Sequence, residues 1–142
     1  MKCLFILLIA SSFQLAMAQG ARTFNPDEVN LKKAKGFYAD DKYKEAIPLL
    51  EQLLGNGSEN EDALYMLASS YAFTSQYEKA LAPFDKLLSL SPTYSHTAWY
   101  ESGFAYSELG QFDKAIERFE KFLKDATHPE ENKQMALGAL CT

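Results

Sequence analysis

The sequence predicts an all-α solenoid of three helix-turn-helix repeats followed by a C-terminal helix. Three observations predict it. The phrases "KEAIPLLEQLLGNGS" from Lys44, "EKALAPFDKLLSLSP" from Glu78 and "DKAIERFEKFLKDAT" from Asp113 share one pattern. Aligned on Ala46, Ala80 and Ala115, they recur at steps of 34 and 35 residues, within the range at which repeated units stack side by side. No period-two alternation persists anywhere, so strands are not expected.

The chain opens with a segment that does not belong to this fold. Lys2 supplies a positive start, Cys3 to Leu15 is largely apolar, and "AMA" before Gln19 has the small-x-small form of a signal-peptidase site. Residues 1–18 therefore read as a secretory signal cleaved after Ala18, which predicts an exported protein. An uncleaved anchor fits less well, because Ser11, Ser12 and Gln14 interrupt a run shorter than the roughly 20 apolar residues that span a bilayer. Residues 19–26 read as a linker, residues 27–60, 61–95 and 96–129 as the three repeats, and residues 130–142 as the terminal helix.

Removing Lys2 from the 14 basic residues leaves 13 against 19 acidic ones, a net charge of −6. That sign argues against nucleic acid as a partner, since phosphate binding needs clustered Lys and Arg. Cys3 departs with the signal and Cys141 remains alone, so no disulfide staples the domain. Cys141 reads as a small buried hydrophobe or as an intermolecular bridge.

Each repeat supplies a first and a second helix. The first helices are read at Leu31 to Ala39, Ala63 to Phe73 and Ala98 to Leu109. Short polar turns ending in an aromatic follow them: "ADDKY", "TSQY" and "ELGQF". In the first unit's second helix, Ala46, Ile47, Leu50, Leu53 and Leu54 form one apolar stripe at helical period. Twelve residues before each repeat alanine stands a small residue, Ala34, Ala68 or Gly103, which permits close helix approach. Nine before it stands an aromatic, Phe37, Tyr71 or Tyr106; with Leu50, Phe84 and Phe119 these fill the space between neighbouring pairs. Pro48 and Pro83 fall beyond the first turn of second helices and predict a bend without a break. The tail "KQMALGALCT" reads as a helix too apolar for a solvent-facing end. It either caps the last unit imperfectly or is followed by more protein.

These residues resemble the tetratricopeptide repeat family. The second unit offers Leu64, Leu67, Ala68, Tyr71, Ala80, Phe84, Leu87 and Pro92, and the third Trp99, Gly103, Tyr106, Ala115, Phe119 and Phe122, at that family's spacings. The first unit departs from the pattern at Asn30 and Lys33, where apolar residues are usual. The resemblance implies a right-handed stack whose first helices line a concave, peptide-binding face. It would place Leu31, Lys35 and Tyr38, then Asp62, Tyr65, Ser69 and Phe73, then Thr97, Tyr100, Phe104 and Glu108 in that groove. Five of these eleven are aromatic, the residue type that anchors bound segments. Family members that clamp a C-terminal carboxylate use Lys with Asn; Lys35 has no Asn companion, so that subtype is not expected. The signal, the three-repeat block, "FEKFL" and "ALC" are also similar to the opening of Bacteroidetes-type periplasmic and outer-membrane-associated proteins. In those a β-propeller and a peptidoglycan-binding domain follow, and neither lies in these 142 residues.

Nothing in the sequence assembles chemistry. His96 and His128 stand alone without companions at i+3 or i+4, and a zinc site wants three or four ligands. "LGNGSEN" lacks the Lys and Ser or Thr of a phosphate loop, and no base is placed beside a serine or Cys141. The paired acids Asp40 and Asp41, Glu59 and Glu61, and Glu130 and Glu131 fall in turns or helix starts and read as caps of the positive helix end, and "NGS" at Asn56 is a formal glycosylation acceptor. The expectation is a non-catalytic protein-interaction module without cofactor or metal, secreted or lodged in a periplasm. The alternatives are a scaffold module of a larger cell-envelope protein, or a homo-oligomer formed through the last helix or Cys141.

Overall fold

The computed structural model describes residues 25–90 and 94–124, together with Gln134 and Gly138. Six helices follow one another: α1 (Pro26–Ala39), α2 (Tyr43–Gly55), α3 (Glu61–Phe73), α4 (Tyr77–Leu90), α5 (Ser95–Glu108) and α6 (Phe112–Lys124). No strand occurs among the described residues. The fold class read from the sequence is the one observed. Pro92, His128 and Cys141, the signal and most of the terminal helix lie outside the described residues.

The first helices begin earlier than their apolar periodicity indicates, and in α1 and α3 side chains outside that pattern start them. Asn25 accepts the Asp27 amide at 3.1 Å, and Pro26 occupies the first position, where its missing N–H costs nothing. Asn60 likewise accepts the Ala63 amide at 2.9 Å, with Glu61 and Asp62 in the first turn. The second helices need no such cap, since each leaves directly from the preceding turn.

That turn is the same object three times. Asp41, Ser75 and Gly110 hold positive φ angles of 58°, 60° and 69°. The next amide reaches back to Phe37, Tyr71 or Tyr106, at 2.8, 2.8 and 2.9 Å. The left-handed residue itself bonds Tyr38, Ala72 or Ser107. This paired return closes the helix C-terminus and reverses the chain. Only the third unit uses glycine, the residue for which this conformation carries no Cβ penalty. Asp40 and Asp41 thus stand at the C-terminal end of α1 and not at a helix start. Asp41 accepts a hydrogen bond from the Tyr43 hydroxyl at 2.7 Å, and Asp40 pairs with Lys42.

Each helix packs on its sequence neighbours, and in addition α1 touches α3 and α3 touches α5. The even helices make no mutual contact of comparable extent. The odd helices therefore sit on the inside of the stack. Ala34, Ala46, Ala68, Tyr71, Ala80, Phe84, Tyr106, Ala115 and Phe119 are buried, while Phe37 and Trp99 are half-buried. Phe84, Phe119 and Phe122 are fully enclosed, each stabilising the fold by roughly 1.5–3 kcal/mol relative to exposure. α2 and α4 run unbroken through Pro48 and Pro83.

Ties across unit boundaries add direction to this apolar core. Arg118 of α6 bonds Asp85 of α4 at 2.6 Å, its guanidinium lying 5.1 Å from the Trp99 ring and 5.4 Å from Tyr106. The Tyr71 hydroxyl donates to Glu51, joining the second unit to the first.

Candidate functional site

The inner face is paved by rings contributed by different units. Tyr65 of α3 stacks on Tyr94 with centroids 5.2 Å apart and lies 6.4 Å from Tyr38 of α1. Phe73, at the end of α3, stacks on Tyr43 of α2 at 4.7 Å. Phe104 of α5 meets Tyr77 of α4 edge-on at 6.2 Å. Tyr43, Tyr77 and Tyr94 were not among the expected groove residues. The first two open second helices, and Tyr94 precedes α5, so a reading confined to first helices passes over them.

Two hollows interrupt this surface. One, of about 320 Å³, is lined by Lys35, Tyr38, Asp62, Tyr65, Met66 and Tyr94. Lys35 and Asp62 close it from opposite units with an ion pair of 2.5 Å. Hydrogen bonds from Lys35 and then Tyr94 hold the Asp62 carboxyl below its usual range. The bond to Asp62 pushes the Tyr94 phenol up to about 12. The other hollow, of about 400 Å³, is lined by Ala72, Phe73, Thr97, Tyr100, Glu101 and Phe104.

Glu101 joins the two. Its carboxylate accepts the Tyr65 hydroxyl at 3.0 Å and the Ser69 hydroxyl at 2.5 Å. Burial raises its carboxyl above the ordinary glutamate value, and these two hydrogen bonds oppose that rise. The Tyr65 phenol is raised in turn, by burial first and by the Glu101 charge second. Glu101 escaped the sequence reading although a signal was present. It stands thirty-five residues after Met66, a core position of the second unit, and the equivalent position of the first unit is Lys32, so the acid is a change of chemistry from unit to unit.

The expected groove residues divide accordingly. Lys35, Tyr38, Asp62 and Tyr65 meet in the first hollow, and Phe73, Thr97, Tyr100 and Phe104 in the second. Phe73 and Phe104 are the exposed rings, at 59% and 39%. Two of the expected residues are spent on packing: Ser69 is fully buried and donates its hydroxyl to Glu101, and Leu31 packs against the core cluster. Glu108, the last residue of α5, is exposed and lies outside both hollows. His96 is partly buried, its ring 4.5 Å from Phe122.

Among the described residues, no three His, Cys, Asp or Glu side chains converge as metal ligands, and no helix is long and apolar enough to cross a membrane. A family model described as anaphase-promoting complex, cyclosome, subunit 3 matches residues 39–122, more than half of the chain. The chain belongs to this tetratricopeptide-type repeat family. The solved tetratricopeptide domain of Sgt2 from Aspergillus fumigatus is similar in fold. It has a TM-score of 0.66 and 24% identity, with 86% of this chain and 83% of that one covered. No curated protein matches the chain. A tetratricopeptide stack of this kind is a protein-interaction module, and such modules are typically non-catalytic.

Proposed function

We propose that the chain is an exported adaptor whose inner, odd-helix face holds an extended or helical segment of a partner protein. The observation that carries this reading is the exposure of Phe73 of α3 and Phe104 of α5, two rings from neighbouring units that line the same largely apolar hollow. Large rings at the centre of a depression are the usual anchors of recognition. Export rests on residues 1–18, and its test is the mature N-terminus: mass spectrometry should find Gln19 first.

The groove is tested by immobilising the chain from Gln19 to Thr142 and capturing partners from a native envelope or secretory extract. The Phe73→Ala, Phe104→Ala variant serves as the comparison. Loss of the partner by a variant with unchanged helical circular dichroism supports the adaptor reading; equal capture by both forms removes it.

A second reading, a scaffold module within a larger cell-envelope assembly, is favoured by one feature of α6. Ile116 and Leu123 are 43% and 39% exposed, whereas their counterparts Ile47 and Leu54 are buried or half-buried under the next unit. Phe112 is 64% exposed on the same helix. The third unit thus presents a stacking face. Sedimentation at rising concentration, with Ile116→Glu as control, separates self-association through that face from a stable monomer.

A further inference from the structure

We propose that the hollow over Glu101 receives a basic side chain of the bound segment, its stem lying among Phe73, Tyr100 and Phe104 and its charge meeting the Glu101 carboxylate. This rests on the groove reading and adds the chemistry of one occupant.

The repeat does not demand an acid here, since the counterpart positions hold Lys32 in the first unit and the buried Met66 in the second. The two hydroxyl donors, from Tyr65 and Ser69, fix the carboxylate without neutralising it. Asp62, Asp85 and Glu59 are each paired with a Lys or Arg. Among the described residues, no Lys, Arg or His lies within ion-pair distance of Glu101. The rest of the wall, Ala72, Phe73, Thr97, Tyr100 and Phe104, carries no charge. A half-enclosed anion under aromatic walls attracts a cation twice over, by charge in a poorly screened site and by the negative faces of the rings. An acidic occupant would be repelled by Glu101. A neutral apolar one would strip water from the carboxylate without giving it a partner.

The test pans a phage-displayed random dodecapeptide library on the chain, then measures a selected, labelled peptide by fluorescence anisotropy. The expected peptides carry Lys or Arg beside apolar residues, and replacing the base by norleucine weakens binding at least tenfold. Glu101→Gln should weaken the basic peptide at least tenfold while leaving its norleucine counterpart bound as before. Thr97→Lys, which sets a cation at the rim, should do the same and serves if Glu101→Gln does not fold. Selected peptides without a base, or equal binding to both variants, overturn the proposal and leave the groove standing. Peptides held equally by Phe73→Ala, Phe104→Ala, or no selection at all, overturn the groove reading as well.

Discussion

The Cβ that Gly103 lacks would lie 2.8 Å from Cε1 of Phe119. α5 and α6 therefore approach closely enough that the Phe119 ring occupies the space a side chain would need. Glycine inside a helix ordinarily costs about 1 kcal/mol relative to alanine. Here the sign reverses: Gly103→Ala is expected to destabilise by about 1–3 kcal/mol through overpacking. Phe119→Leu should recover part of that loss in the double variant. Urea unfolding by circular dichroism reads both.

The shared left-handed turn makes a second pair of expectations. Gly110 has open space around it, so Gly110→Ala tests the backbone alone and should cost about 1 kcal/mol. Ser75 holds the same conformation with a side chain, and Ser75→Gly should change stability in the opposite direction, by about 0.5 kcal/mol. Thermal melts of the two variants check the order.

Arg118 illustrates packing by a charged residue. Its side chain is only 16% exposed between Trp99 and Tyr106, while Asp85 is 49% exposed. Arg118→Ala removes both the ion pair and the stem's packing and should cost about 1–2 kcal/mol. Asp85→Asn removes only a solvent-screened partner and should cost less than about 1 kcal/mol, a difference that shrinks in high salt. Unfolding at low and high ionic strength separates them.

Glu101 gives the fold a pH dependence of definite sign. Burial raises its folded-state carboxyl above the unfolded value, so the folded chain takes up a proton first as pH falls. Its contribution to stability is fully present below the unfolded value and is lost as pH rises through the folded one. Relative to Glu101→Gln, the wild type should gain stability between neutrality and the ordinary glutamate range. Asp62, held low by Lys35, works oppositely: its contribution is present above the unfolded aspartate value and is lost as pH falls through the folded one. Denaturant midpoints of the wild type, Glu101→Gln and Asp62→Asn across pH distinguish the two.

The repeat architecture was legible because it is written in volumes. Small residues at Ala34, Ala68 and Gly103 and large ones at Leu50, Phe84 and Phe119 recur at fixed offsets, and stacking leaves such residues one place to go. Helix starts were less legible, since Asn25 and Asn60 act through single hydrogen bonds outside the apolar period. The inner face was half legible. Tyr38, Tyr65, Phe73, Tyr100 and Phe104 were expected there, but Ser69 turned inward because a hydroxyl can satisfy a buried acid across thirty-two residues. Glu101 and Tyr94 acquire their roles only when units two and three are set side by side, and spacing within one unit does not contain that geometry.

The measurement that bears most directly on the central claim is an amide chemical-shift map of the chain with a captured or selected partner peptide. The account predicts the largest shifts at Phe73, Thr97, Tyr100, Glu101 and Phe104, on the inner face. Shifts confined to the outer surfaces of α2, α4 and α6 would contradict it.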